Sequence, residues 1–500
     1  MSGSGDWLSQ HARRRANHPA LVHAKGTLSF AELETAALTL AGRLRGLGIG
    51  EGNRVAVLLN NDPVYVVLVH ALAALGAVLV PLNLRLTPGE LRELLEAAEP
   101  SLLIHGGALG KQALEAARCL PAVRVLATAA LNTLPEKPGR SLFGPRLDLD
   151  QAILFTSGTT GRPKGVRLSL ANHLASALGS EQRLGVDEGD RWLLCLPLYH
   201  VGGLAVVLRS VIYGTTVVLH ESFDARTVRQ ALERDRISAV SLVPTMLTRL
   251  LQTSDAARFP DSLRFALLGG GPIAPELVAR ARRRSIRLAP TYGLTEAASQ
   301  VCTLVPEELA ARGDSVGRPL AGLELRVLNE RGRDQSPGTP GEICVRGPQV
   351  TAGYLNPPKE RERVLASGWL CTGDIGALSP DGYLTLLDRR SDLIVSGGEN
   401  IYPSEVESVL LSHPDVAAAA VVGRADPEWG QVVHAFIVAE TGGRPRAEQL
   451  VAHCRAELAG FKLPRRVHFV AALPLTASGK LRRAELRRRI SPGGLPGPSD

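Results

Sequence analysis

Short β-branched runs alternate with helical patterns through the first half of the chain, which restricts it to parallel sheet covered by helices. Val55-Ala-Val-Leu-Leu59 is followed by an apolar helical run from Val64, a strand Ala77–Val80, and a helix opened by Thr87-Pro88-Gly89-Glu90. The rhythm recurs at Ser101–Ile104, Val123–Ala127, Thr216–Leu219, Ala239–Val243 and Phe265–Leu268. The longest apolar stretch, Val64–Val80, is split by Gly76 and closed by Pro81. It therefore reads as a buried helix ending near Leu75 plus a strand, not as a membrane span. From about Gly317 the texture changes to Gly/Pro-punctuated strands (Glu324–Leu328, Gly341–Arg346, Gly382–Leu387), the pattern of antiparallel structure. Beyond Arg389 a smaller unit follows, with a helix Pro403–Ser412 and strands Ala417–Gly423 and His434–Val438. The expected architecture is α/β: an N-terminal domain over 1–389 of helix-covered sheets with a β-rich subdomain, an α+β C-terminal domain over 390–490, and a disordered tail over 491–500.

One loop carries phosphate chemistry. Residues 155 to 166 read Phe-Thr-Ser-Gly-Thr-Thr-Gly-Arg-Pro-Lys-Gly-Val. Gly158, Gly161 and Gly165 let backbone N–H groups converge, Thr156, Ser157, Thr159 and Thr160 add hydroxyls, and Lys164 adds a cation. The order differs from G-x-x-x-x-G-K-[ST], since Pro163 precedes the lysine and Gly165 follows it, which argues against a P-loop GTPase or ATPase.

Other clusters add partial sites. Gly269-Gly270-Gly271 ends a strand and lets a planar group approach the main chain. In Tyr292-Gly293-Leu294-Thr295-Glu296, the tyrosine offers a stacking face, the threonine a hydroxyl and the glutamate a carboxylate suited to Mg²⁺. Asp374 and Arg389 suit ribose and phosphate, although a turn and a surface ion pair would explain them as well. Lys480 follows a Ser-Gly turn, where a solvated lysine is ordinary.

Charge and cysteine usage narrow the class. The net charge of +8 (57 basic, 49 acidic residues) suits anionic substrates, but no aromatic-interleaved basic stripe points to nucleic acid. Much of the excess lies in Arg482, Arg483, Arg487, Arg488 and Arg489, a pattern expected of a solvated helix face. The six cysteines lack C-x-x-C or zinc spacing and are expected to be reduced thiols. With no signal-peptide profile at the N-terminus, a cytoplasmic location is expected. Homo-oligomer formation is left open.

Taken together and in order, Thr156–Gly165, Tyr292–Glu296, Thr372-Gly373-Asp374, Asp388-Arg389, Ser396-Gly397-Gly398-Glu399-Asn400 and Gly479-Lys480 resemble the adenylate-forming enzymes, which include acyl- and aryl-CoA synthetases. The resemblance runs from about Trp7 to Arg489. It implies ATP, Mg²⁺ and CoA as reactants and cofactor, and a two-step reaction in which an acid is adenylated and CoA then displaces AMP. It assigns the loop Thr156–Lys164 to the β- and γ-phosphates, Thr295 to the α-phosphate, and Glu296 to Mg²⁺. Gly269–Gly271, Tyr292 and Gly293 are assigned to the adenine end, Asp374 and Arg389 to ribose, and Lys480 to the attacking carboxylate and α-phosphate. It also implies a mobile C-terminal domain turning about Ser391 to bring Ser396, Gly397 and Gly398 to the pantetheine arm. Where many relatives carry Asp or Lys, the hinge here is Ser391. Within the family, Cys195–Leu204, Leu267–Pro272, Thr295–Gln300 and Leu387–Pro403 most resemble the aryl-CoA ligases that act on o-succinylbenzoate in menaquinone biosynthesis. His200, Ser299 and Gln300 would then orient its second carboxylate. Another acyl- or aryl-CoA ligase, a stand-alone adenylating enzyme and a non-catalytic nucleotide-binding protein remain as alternatives.

Overall fold

The computed structural model describes residues 5–136, 145–157, 163–253, 258–271, 273, 275–329, 331–355, 368–388, 393–440, 442–443, 445–474 and 481–490. Among these, strands form four sheets. In the six-stranded sheet Arg54–Leu58 pairs in parallel with Val78–Pro81 and Leu102–His105. Alternate residues along these strands enter different cores: Val55, Val57, Leu102 and Ile104 pack on one face, Ala56, Leu58 and Leu103 on the other. That is the two-residue period of a strand buried on both faces.

The first face meets a nine-stranded sheet across the helices Phe30–Gly46, Pro63–Leu75 and Val201–Tyr213, so one continuous core joins both sheets. The outer face of the larger sheet is covered by Ala225–Arg234, Pro244–Gln252 and Pro275–Arg283. The outer face of the smaller sheet is covered by Pro88–Ala98 and Gly110–Ala117. Local signals explain the helix ends. Asp62 accepts from Val64 N–H ahead of Pro63, and Gly76 ends that helix at φ 65°, a left-handed conformation that costs glycine least. No helix among the described residues is long and apolar enough to cross a membrane.

An antiparallel four-stranded sheet follows: Glu324–Leu328, Gly341–Arg346, Leu370–Leu378 and Leu384–Asp388. The C-terminal domain has its own core beneath Ile394–Ser396, Gly430–Ala439 and Val416–Asp426, with Pro403–Leu411 and Ala447–Glu457 packed against it. The large α/β domain and the small α+β domain are those expected from the sequence. The boundary placed at 389/390 and the tail 491–500 fall outside the described residues.

The cysteine expectation requires correction. Cys344 and Cys371 are joined as a disulfide, directly opposite on neighbouring antiparallel strands with Cα atoms 4.1 Å apart. Strand register, invisible to sequence spacing, creates this pair. Cys195, Cys302 and Cys454 are buried free thiols and Cys119 is an exposed one.

Candidate active site

The parallel strands of the nine-stranded sheet end at a common edge. Beyond Arg191–Leu194, Ala239–Leu242, Phe265–Leu268 and Leu288–Tyr292 the chain leaves the sheet at Cys195, Val243, Gly269 and Gly293, all of which line one cavity. Ligands of open α/β sheets bind at this carboxyl edge. The cavity measures ≈ 620 Å³, large enough for a drug-sized or larger ligand.

The glycines are dictated by neighbouring backbone. A Cβ on Gly269 would stand 2.7 Å from Thr291 Cγ2 and 2.9 Å from Thr291 O. At Gly293 it would stand 1.7 Å from the Ser299 carbonyl oxygen, because residues 293–300 fold back on themselves. Within this turn Ala298 and Ser299 take positive φ (48° and 98°), an arrangement that stores roughly 1–3 kcal/mol per residue. Ser176 Oγ steadies it by donating to Ala298 O at 2.8 Å. Gly293→Ala should therefore lower stability by about 3 kcal/mol and abolish turnover. Chemical denaturation and steady-state assay check this; an unchanged midpoint would mean the turn relaxes freely.

The turn presents Thr295, Glu296, Ser299 and Gln300 to the cavity. Glu296 Oε1 accepts from the Tyr354 hydroxyl at 2.9 Å, and Lys164 Nζ lies 6.0 Å from the centroid of the same tyrosine ring. Thr156 lines the cavity too. The strands Asp150–Ser157 and Pro163–Ser169 pair antiparallel, with Thr156 opposite Lys164. The glycine-hydroxyl run thus connects two hairpin strands, unlike the strand-to-helix turn of a P-loop. Gly158, Thr159 and Thr160 fall outside the described residues, as do Arg389, Ser391 and Lys480. The side chain of Ser157 lies outside the described ones as well.

Asp374 lines the cavity and accepts from the Tyr292 hydroxyl at 2.6 Å. Tyr292 is 1% exposed and is not on the cavity wall, so in this arrangement its ring braces Asp374 from behind. Gly269 and Gly270 stand on the wall, whereas Gly271 faces Pro244 and Val395.

The C-terminal domain completes the site. Hairpin residues Gly397 and Gly398, at φ 57° and 86°, line the cavity, and buried Ser396 pairs with Glu399 and Gly430 beside them. Glu399, buried, reaches into the N-terminal domain. It accepts from Asn83 Nδ2 at 3.0 Å and from the Tyr199 hydroxyl at 3.2 Å, and lies 3.3 Å from His200 Nε2 and 3.6 Å from Arg85. Burial alone would raise its carboxyl pKa, but His200, Arg85 and the tyrosine hydroxyl hold it below the ordinary value.

One residue was not singled out from the sequence. Arg209 lies on the helix Val201–Tyr213, lines the cavity alongside His200, Ser299 and Gln300, and is only 3% exposed. Its Nη2 donates to Ser176 Oγ at 3.0 Å, and no carboxylate among the described residues pairs with it. Desolvation lowers its pKa. The neighbouring His173 is held neutral, with a pKa of about 3, first by burial and then by the Arg209 charge. A desolvated cation facing a cavity without a counter-ion is a place for an anion. The signal was legible: Arg209 is the single charge in an otherwise apolar helix.

The profile of the AMP-binding enzyme family matches residues 8–355, and that of the AMP-binding enzyme C-terminal domain matches 405–480. The chain is 42% identical over 494 residues to a 2-succinylbenzoate–CoA ligase of Geobacillus kaustophilus, covering 98% of this chain and 99% of that one. It is similar in structure to o-succinylbenzoate CoA synthetase of Bacillus subtilis. A double mutant bound with the product analogue OSB-NCoA superimposes with a TM-score of 0.91, at 39% identity, covering 96% of this chain and 97% of that one. The same synthetase in complex with the acyl-adenylate intermediate OSB-AMP gives 0.75, at 39% identity and covering 96% and 98%. With identity equal and coverage within one per cent, the difference is one of spatial arrangement: the overall arrangement here is nearer that of the product-analogue complex than that of the acyl-adenylate complex.

Proposed function

The chain belongs to the AMP-binding enzyme family, and from that premise we propose that it is the ATP-dependent ligase that converts o-succinylbenzoate, ATP and CoA to o-succinylbenzoyl-CoA, AMP and diphosphate in menaquinone biosynthesis. The observation that carries the choice of acid is Arg209. o-Succinylbenzoate has two carboxylates, and a ligase that activates one must hold the other in a desolvated cavity. Only a buried, uncompensated cation makes that inexpensive. A fatty acid would place methylenes against the same guanidinium, leaving the charge unpaired.

In the first step the acid carboxylate attacks the α-phosphorus in line, the bond to the β-phosphate oxygen breaks, and diphosphate leaves. Two anions approach each other, so fixed positive groups and donors must offset the repulsion. Thr156 and Lys164 are assigned to the leaving diphosphate, Thr295 to the α-phosphate and Asp374 to ribose. Glu296 suits Mg²⁺, which takes one or two carboxylates and completes its shell with phosphate oxygens. When bound, the ion neutralises developing phosphate charge. In the second step the CoA sulfur attacks the acyl carbon of the adenylate and AMP leaves. Gly397 and Gly398, already on the cavity wall, leave space for a thin pantetheine arm, which supports the assignment of the present arrangement to this step. A cytoplasmic location is proposed with the function, since ATP and CoA are intracellular co-substrates.

Acid-dependent exchange of labelled diphosphate into ATP across a panel of acids tests the reading. Exchange with o-succinylbenzoate should exceed that with benzoate or fatty acids by roughly 100-fold or more, the discrimination expected where a buried charge would otherwise go unpaired. Preference for a monoacid would remove the assignment.

A further inference from the structure

Away from the cavity, the two domains are fastened by a buried ion triad. Lys462, in the single turn Gly460–Lys462, places Nζ 2.6 Å from Glu90 Oε1 of the N-terminal domain and 2.6 Å from Glu405 Oε1 of its own domain. The three side chains are 5%, 10% and 17% exposed, respectively. The other oxygen of Glu90 is already committed, accepting from Thr87 N–H at 2.7 Å and Thr87 Oγ1 at 2.9 Å as the cap of the helix Pro88–Ala98. Glu405 sits in the first turn of Pro403–Leu411, and its Oε2 has no hydrogen-bond partner among the described residues.

Two carboxylates around one ammonium leave an excess negative charge in a poorly hydrated seam, and Glu93 adds to the negative field at Glu405. The lysine is therefore what allows Glu90 and Glu405 to approach each other. The partners differ in one respect. Glu405 and Lys462 belong to the same domain and would travel together in a rotation, whereas Glu90 stays behind. Glu90 keeps its helix cap in either case, so leaving the seam does not strand its backbone partner.

We propose that Glu90 and Lys462 are positioning residues that latch the C-terminal domain in the thioester-forming orientation, with Glu405 holding the lysine ready for re-engagement. This rests on the ligase reading given above. The latch lies apart from the hairpin at the cavity, so it sets how long the domain dwells there without touching the reacting atoms.

The test uses the full chain and two variants, Glu90→Gln, which retains an acceptor for the helix cap, and Lys462→Met. Diphosphate exchange with o-succinylbenzoate reports the first half-reaction, and single-turnover mixing of pre-formed acyl-adenylate with CoA reports the second. Exchange should change by less than about twofold in Glu90→Gln, while thioester formation slows by roughly tenfold or more, as expected when the ammonium–carboxylate contact between the domains is reduced to a hydrogen bond with a neutral acceptor. Lys462→Met should show the same split, more strongly. Equal loss of both half-reactions in Glu90→Gln, or no loss of either, overturns the latch. Absence of exchange with any acid in the unaltered chain overturns the ligase reading and the latch with it.

Discussion

Arg209→Met is expected to lower kcat/KM for o-succinylbenzoate by two to four orders of magnitude, about 3–5 kcal/mol, the range found when a buried charge loses its partner. The same variant should lose no thermal stability, and should melt at the same or a higher temperature than the parent. Without ligand, Arg209 is a 3% exposed guanidinium with a hydroxyl for a partner and no carboxylate among the described residues. Methionine fills similar volume without the desolvation cost. A cation kept in spite of that cost serves the ligand, which is the trade between stability and activity common at binding sites. A monoacid analogue lacking the second carboxylate separates the explanations: its exchange rate should change by less than about threefold in the variant. If both acids lose activity equally, Arg209 supports the turn through Ser176 and Ala298, and selectivity must come from another polar group on the wall, such as Arg85 or Arg249.

The parts legible in the sequence were those whose cause is local. Alternating apolar runs specify a helix-covered parallel sheet, since each strand buries two faces and each helix one. Gly76 marks the end of its helix because capping acts over a few residues. Glycine-rich motifs pointed to the cavity because backbone crowding admits no other residue at positions such as 269 and 293. What escaped was non-local. Cys344 and Cys371 are 27 residues apart and meet through strand register. Glu90 and Lys462 are separated by 372 residues and meet across the two domains. Glu399 stands in a recognisable motif, but its partners Asn83, Arg85, Tyr199 and His200 come from distant loops that no spacing rule connects.

Lys480→Ala is expected to reduce adenylation by roughly 100- to 1000-fold, the loss typical of removing one charge-stabilising donor from a transition state, while leaving thioester formation from supplied acyl-adenylate nearly unchanged. Resemblance assigns this lysine to the bond-forming carboxylate and α-phosphate, where charge builds only in the first step. The geometry adds a reason for the separation. With Gly397 and Gly398 on the cavity wall and Glu399 anchored among N-terminal residues, the C-terminal domain is already committed to one face. A rigid domain cannot present a second face to the same cavity, so groups for the two steps must be used in turn. Lys480→Ala and Glu90→Gln should consequently have opposite signatures: the first blocks formation of the adenylate and spares its use, the second permits formation and slows its use. In the double variant the slower of the two impaired steps should set the overall rate, so the loss should match that of the more damaging single variant, because each acts on a different step. Half-reaction assays on all three proteins decide the matter. A Lys480→Ala enzyme that loses both halves equally would place the lysine in the thioester step as well and would remove the case for a strict alternation of faces.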